Sequence, residues 1–165
     1  MITKNQLKIV AEPGRQELYI FREFDAPREL VFKAFTDPDL LVQWLGPKNM
    51  KMTINKFNMR TGGHFRYTHT DEKGNAYGFR GVVHEVSAPE RVIQTFEFEG
   101  HPERGHVSLD TSTFQTLLNN RTKMIIHSVF RSVAARDSMV MSGMEKGFGE
   151  GLRRLDELLA NGFNK

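Results

Sequence analysis

Apolar side chains alternate with polar ones along Glu17 to Phe24, where Leu18, Ile20 and Phe24 share one face. That period of two predicts a strand. A shorter strand is expected at Leu7 to Val10, before the turn signal Glu12-Pro13-Gly14-Arg15. The period then changes. Asp25 or Ala26 is placed to cap a helix with Pro27 in its first turn, and Leu30, Val31, Ala34 and Phe35 form its apolar stripe. Thr36-Asp37-Pro38 interrupts it and opens a second helix with Leu40, Leu41, Trp44 and Leu45 inward, closed by Gly46-Pro47. Alternation returns over 52–58, 63–70, 76–86, 92–99, 106–117 and 123–131. Short turn signals separate these runs, among them Thr61-Gly62-Gly63, Ser87-Ala88-Pro89-Glu90 and Asn119-Asn120. Such connections imply consecutive antiparallel hairpins. From about Ala135 to Ala160 the residues Met141, Met144, Phe148, Leu152, Leu155 and Leu159 recur at three and four, predicting one long amphipathic helix.

Strands grouped together with helices at both ends predict an α+β fold, with a curved antiparallel sheet of about six to seven strands under a long C-terminal helix. A length of 165 residues suits one domain over 1–165, with 1–11 a loose extension or short strand. No cysteine is present, which excludes disulfides and thiolate metal sites and suits a reducing, cytoplasmic setting. No leader pattern and no apolar run of about 20 residues appears, so membrane insertion is not expected. The net charge of +3 comes from scattered side chains, not the clustered Lys and Arg of a nucleic-acid footprint.

At this point the chain resembles a known family. The run from Arg22 to Pro38 is similar to its N-terminal signature, and Gln43-Trp44-Leu45-Gly46-Pro47 to the motif after its second helix. The central hairpin corresponds to Phe79-Arg80-Gly81-Val82-Val83-His84-Glu85-Val86 followed by Pro89-Glu90-Arg91. Its closing helix corresponds to Met144-Glu145-Lys146-Gly147-Phe148 with Leu152 and Leu155. The family is the activator of heat-shock protein 90 ATPase homologue type, within the START-like superfamily of polyketide cyclases, aromatases, birch-pollen-type allergens and lipid-transfer domains. The resemblance runs from about Glu12 to Ala160 and implies a helix-grip fold around a cavity. The co-chaperone itself carries a second, chaperone-gripping domain, for which this length leaves no room. A chaperone partner is therefore not expected; the sequence leaves open whether the chain pairs as a homodimer.

Few residues suggest covalent or metal chemistry. The six histidines show no paired helical spacing, so no metal or other cofactor is expected. No nucleophile-elbow pattern occurs, and Asp110-Thr111-Ser112-Thr113 reads as an alternating polar strand. The aromatics say more. Phe65, Tyr67, Tyr77, Phe79, Phe96 and Phe98 occupy alternate positions on three neighbouring strands. They fill a core or line a cavity, and the tyrosines favour the cavity. Expected ligand contacts are Trp44, Tyr67, Tyr77, Phe79, Phe96, Met141, Met144, Glu145 and Phe148. Glu85, Glu145 and Arg80 are the charged groups that would matter if they faced inward. Gly143, Gly147 and Gly151 repeat every four residues in the closing helix. Each costs about 0.8–1 kcal/mol relative to Ala. Close approach of the sheet, space at a cavity or a frayed helix start would each account for them. The leading expectation is binding of a small hydrophobic or amphipathic molecule. A cyclase, aromatase or hydrolase using carboxylates and tyrosines is one alternative, and a protein-interaction domain another.

Overall fold

The alternating runs pair as the turn signals require. The structure, a computed structural model, describes residues 5–163. Strands β1 (Lys8–Val10) and β2 (Glu17–Phe24) come first, then helices α1 (Arg28–Thr36) and α2 (Pro38–Leu41). A meander follows of β3 (Lys51–Phe57), β4 (His64–Thr70), β5 (Ala76–Ser87), β6 (Arg91–Phe98), β7 (Val107–Leu117) and β8 (Arg121–Val129). Helices α3 (Val133–Met141) and α4 (Met144–Ala160) close the described chain. One sheet holds all eight strands in the order β1-β2-β8-β7-β6-β5-β4-β3, and every pair is antiparallel. The count exceeds the expected six to seven because the short β1 joins the edge.

The helices cover one face of the sheet. Leu152, Leu155 and Leu159 of α4 share a core with Phe24, Val31, Phe32, Trp44, Phe65, Phe114 and Met124. A smaller cluster of Leu18, Ile20 and Phe130 lies against Ala135, Met139, Met144 and Phe148. Phe148 and Ile126 touch both clusters. The buried Arg22 of β2 grips Asp156 of α4 with two hydrogen bonds of 2.9 and 2.6 Å, fixing the helix across the strand. Such a bidentate pair sets orientation as well as distance.

Three local expectations change. Pro27 itself takes the cap position of α1, while Asp25 accepts a hydrogen bond from Arg121 at 2.7 Å. The second helix is a single turn, capped as expected by the Asp37 carboxylate on the Asp39 N–H at 2.9 Å. The long closing helix is broken between Met141 and Met144, where Gly143 has φ +87°. A β-carbon is disfavoured in that left-handed conformation, so the break is written into the glycine.

The remaining glycines of the repeat separate into two kinds. A β-carbon on Gly151 would lie 2.8 Å from the Trp44 carbonyl oxygen and 3.3 Å from the Gly46 nitrogen. The close approach is thus to the loop after α2, not to the sheet. On Gly147 the nearest atom would be Pro47 Cγ at 3.4 Å, an ordinary contact. Gly151→Ala should therefore destabilise by about 1–3 kcal/mol through overpacking. Gly147→Ala should stabilise by about 0.5–1 kcal/mol by restoring helix propensity. Urea midpoints check the pair; equal shifts would refute the distinction.

Candidate functional site

Side chains alternate across a strand, and directly paired residues of an antiparallel sheet lie on the same face. The register therefore fixes what the helix-covered face carries. Tyr67 pairs with Phe79, and Phe79 with Phe98. Phe96 pairs with Ser108, Gln94 with Asp110, and Asp110 with Ser128. All of these belong to the face that carries Phe65, Phe114 and Met124 of the core.

Two features distinguish this region from packed core. First, the central strands are incompletely covered. Phe79, Phe96, Phe98, Gln94, Asp110, Ser112 and Ile126 all point toward the helices yet stay half-buried. The helical layer thus leaves this part of the inner face partly accessible. Second, the lining is amphipathic. Phe79 lies at the centre of a ring array, 5.4 Å from Tyr67, 5.6 Å from Phe96, 5.2 Å from Phe98 and 5.5 Å from His69 between ring centres. Beside it are polar groups that the chain leaves unmatched. Gln94 Oε1 and His69 Nδ1 are buried without a hydrogen-bond partner among the described residues. Buried polar atoms are nearly always paired, so each such atom asks for a partner.

Asp110 is the chemical centre of the arrangement. Ser108 Oγ donates to it at 2.9 Å, and the Ser128 hydroxyl bonds to it as well. Burial pushes its carboxyl up to about 6, against the downward pull of Ser128, Ser108 and the His127 charge. The Tyr67 phenol is raised by burial first and by the Asp110 charge second. His69 is lowered to about 4, chiefly by burial and then by the Arg154 guanidinium. At neutral pH this face carries an anionic Asp110, a neutral phenol and a neutral imidazole.

The residues expected from the sequence distribute unevenly around this region. Tyr67, Phe79 and Phe96 lie on its sheet wall. Met144 and Phe148 approach from the helical side. Tyr77 is 36% exposed near the strand end, 6.4 Å from Phe98. Met141 stands 84% exposed at the end of α3, and Glu145 is also exposed. Trp44 is a core residue, 1% exposed, with its indole N–H donating to the Ala34 carbonyl at 3.0 Å. A groove of about 310 Å³ beside it is lined by Lys48, Met50, Lys51, Met52 and Arg154. Glu85 does not face the helices: a bulge between Val83 and Glu85 turns it outward, where Arg91 donates to it at 2.6 Å. Arg80 is likewise on the outer face, donating to Glu97 at 2.9 Å. Among the described residues no three His, Asp or Glu side chains gather as a metal site requires, and no helix is long and apolar enough to cross a membrane.

Asp110, Gln94, Ser108, Ser128 and His69 were not singled out by sequence. Their signal was parity: Ser108, Asp110 and Ser112 are in phase with the apolar Phe114, and Gln94 with Val92 and Phe96.

Residues 25–160 match the family described as Activator of Hsp90 ATPase homolog 1-like protein. The chain belongs to this family. A solved structure from Rhodobacter sphaeroides is similar at 28% identity and a TM-score of 0.83, over 93% of this chain and 98% of that one. One from Arthrobacter aurescens is similar at 26% identity and a TM-score of 0.81, over 93% and 91%. Protein Ms6760 from Mycobacterium smegmatis, at 22% identity and a TM-score of 0.82 over 92% and 95%, shares the fold. No curated protein matches. Family membership and these structures bear out the helix-grip architecture: a curved antiparallel sheet gripping a C-terminal helix.

Proposed function

We propose that the protein binds a small amphipathic molecule in the cavity between the sheet and α4. The observation that carries this reading is the half-buried inward face of β5, β6 and β7, where aromatic rings adjoin buried polar atoms that lack partners. A solid core would bury those rings and match those atoms. Ligand sites are concave and mostly apolar, with a few convergent polar groups.

Titration with the neutral, environment-sensitive dye Prodan tests the reading. Saturable binding at one site with a blue-shifted emission is expected. Ser112 is inward and half-buried between its partners Val92 and Ile126. A Ser112→Phe substitution should fill the space and weaken Prodan by about tenfold, a change of about 1.4 kcal/mol. If the space is already packed, the same substitution costs about 1–3 kcal/mol of stability instead. Absence of saturable Prodan binding, or a destabilised Ser112→Phe protein that still binds it normally, would overturn the proposal.

A further inference from the structure

We propose that the molecule taken by the cavity carries a protonated amine, with its ammonium group against Asp110 and Gln94 and its apolar body on Phe79, Phe96 and Phe98. The inference rests on the cavity-binding reading above and adds the chemical class of the ligand.

The argument is one of unmatched sign. Carboxylates are almost never buried without a counter-charge, because desolvation is costly. Among the described residues, the hydrogen-bond partners of Asp110 are the hydroxyls of Ser108 and Ser128. Three cationic side chains in this half of the molecule are committed elsewhere. Arg22 is held bidentate by Asp156. Arg154 donates to the backbone carbonyls of Trp44 and Gly46. His127 contributes only through space, since its ring is on the opposite face, bonded to Glu17. Directly across from Asp110, Gln94 presents a buried carbonyl oxygen that accepts nothing among the described residues. A carboxylate without a counter-charge and an amide oxygen without a donor thus stand at paired positions of β6 and β7.

An ammonium group supplies what is missing: positive charge and up to three N–H donors on one atom. The adjoining rings strengthen the match, since aromatic faces attract cations. A carboxylate or phosphate ligand would instead bring its own acceptors and negative charge against Asp110. A neutral hydroxyl would supply one donor and no charge. The elevated titration of Asp110 fits a buried carboxylate whose counter-ion arrives with the ligand.

Three compounds of nearly one shape separate the possibilities: 2-(1-naphthyl)ethylamine, 2-(1-naphthyl)ethanol and 1-naphthylacetate. Their affinities are to be measured by calorimetry at neutral pH, where Asp110 is ionised. The ammonium compound should bind about tenfold tighter than the alcohol, and the carboxylate weakest of all. Asp110→Asn should lower affinity for the ammonium compound about tenfold and leave the alcohol within about threefold. An alcohol that binds as tightly as the amine, or an Asp110→Asn protein that keeps the amine preference, overturns this inference while leaving the cavity reading intact. Failure of all three compounds to bind overturns both.

Discussion

Asp110→Asn is expected to make the protein more stable at pH 7, by up to about 3 kcal/mol, while weakening the proposed amine site. The folded carboxyl titrates near 6, above its ordinary value of 3.8. Between those values the folded state holds a proton that the unfolded chain has released. The associated stability is complete below 3.8 and is lost as pH rises through 6. At about 1.4 kcal/mol per unit, a shift of about two units leaves a deficit near 3 kcal/mol at neutral pH. Asn keeps the shape without the charge. His69 has the opposite slope. Its folded value of about 4 lies below the usual 6.5, so its contribution is complete above 6.5 and is lost as pH falls toward 4. Over the same interval the two groups nearly cancel in the parent. Subtracting the parent's urea stability at each pH isolates them. The Asp110→Asn advantage should shrink from pH 7 to pH 4, and a His69→Gln advantage should grow. An Asp110→Asn difference that stays constant with pH would show that the carboxyl is not held up by burial.

Trp44→Ala should cost about 3–5 kcal/mol, among the largest effects available from one side chain. The indole is almost wholly enclosed and meets Phe35 edge-on at 4.7 Å. Its N–H satisfies the Ala34 carbonyl, so truncation leaves both a void and a buried acceptor without a donor. The residue is the only tryptophan, and unfolding must therefore be followed by circular dichroism in the variant. A melting temperature within a degree or two of the parent would contradict this placement.

What could be read from the sequence followed from periodicity. Strands β2 to β8 were legible because each alternates and is bounded by Gly, Pro or Asn turn chemistry. The closing helix was legible from its apolar stripe, and the family motifs supplied the helix-grip arrangement. Where periodicity stayed continuous across a change in backbone, it misled. The spacing of Met141, Met144 and Phe148 runs through the Gly143 break, so a helical stripe was visible and its interruption was not. In β5 the parity that would place Glu85 beside Val83 is reversed by one bulge residue. Asp110 was overlooked for a different reason. A polar residue on a strand ordinarily marks the solvent face, and here the polar positions of β7 are in phase with the buried Phe114. Only the pairing of Asp110 between Gln94 and Ser128, across three strands, reveals that a carboxylate was placed inside.

The pairing of β2 with β8 also bears on how the chain emerges during synthesis. Every other ladder joins strands that are consecutive in sequence, whereas Phe24 pairs with Thr122. About a hundred residues must be added after β2 before its partner exists, which at about 5–20 residues per second is about 5–20 s. Throughout that interval the ribosome-bound chain displays a hairpin edge bearing Leu18 and Ile20, later buried. Unpaired apolar edges template wrong association. The nascent protein is thus most vulnerable to aggregation before the last third is made, and slowing translation within β3 to β7 should lower its soluble yield more than slowing it after β8.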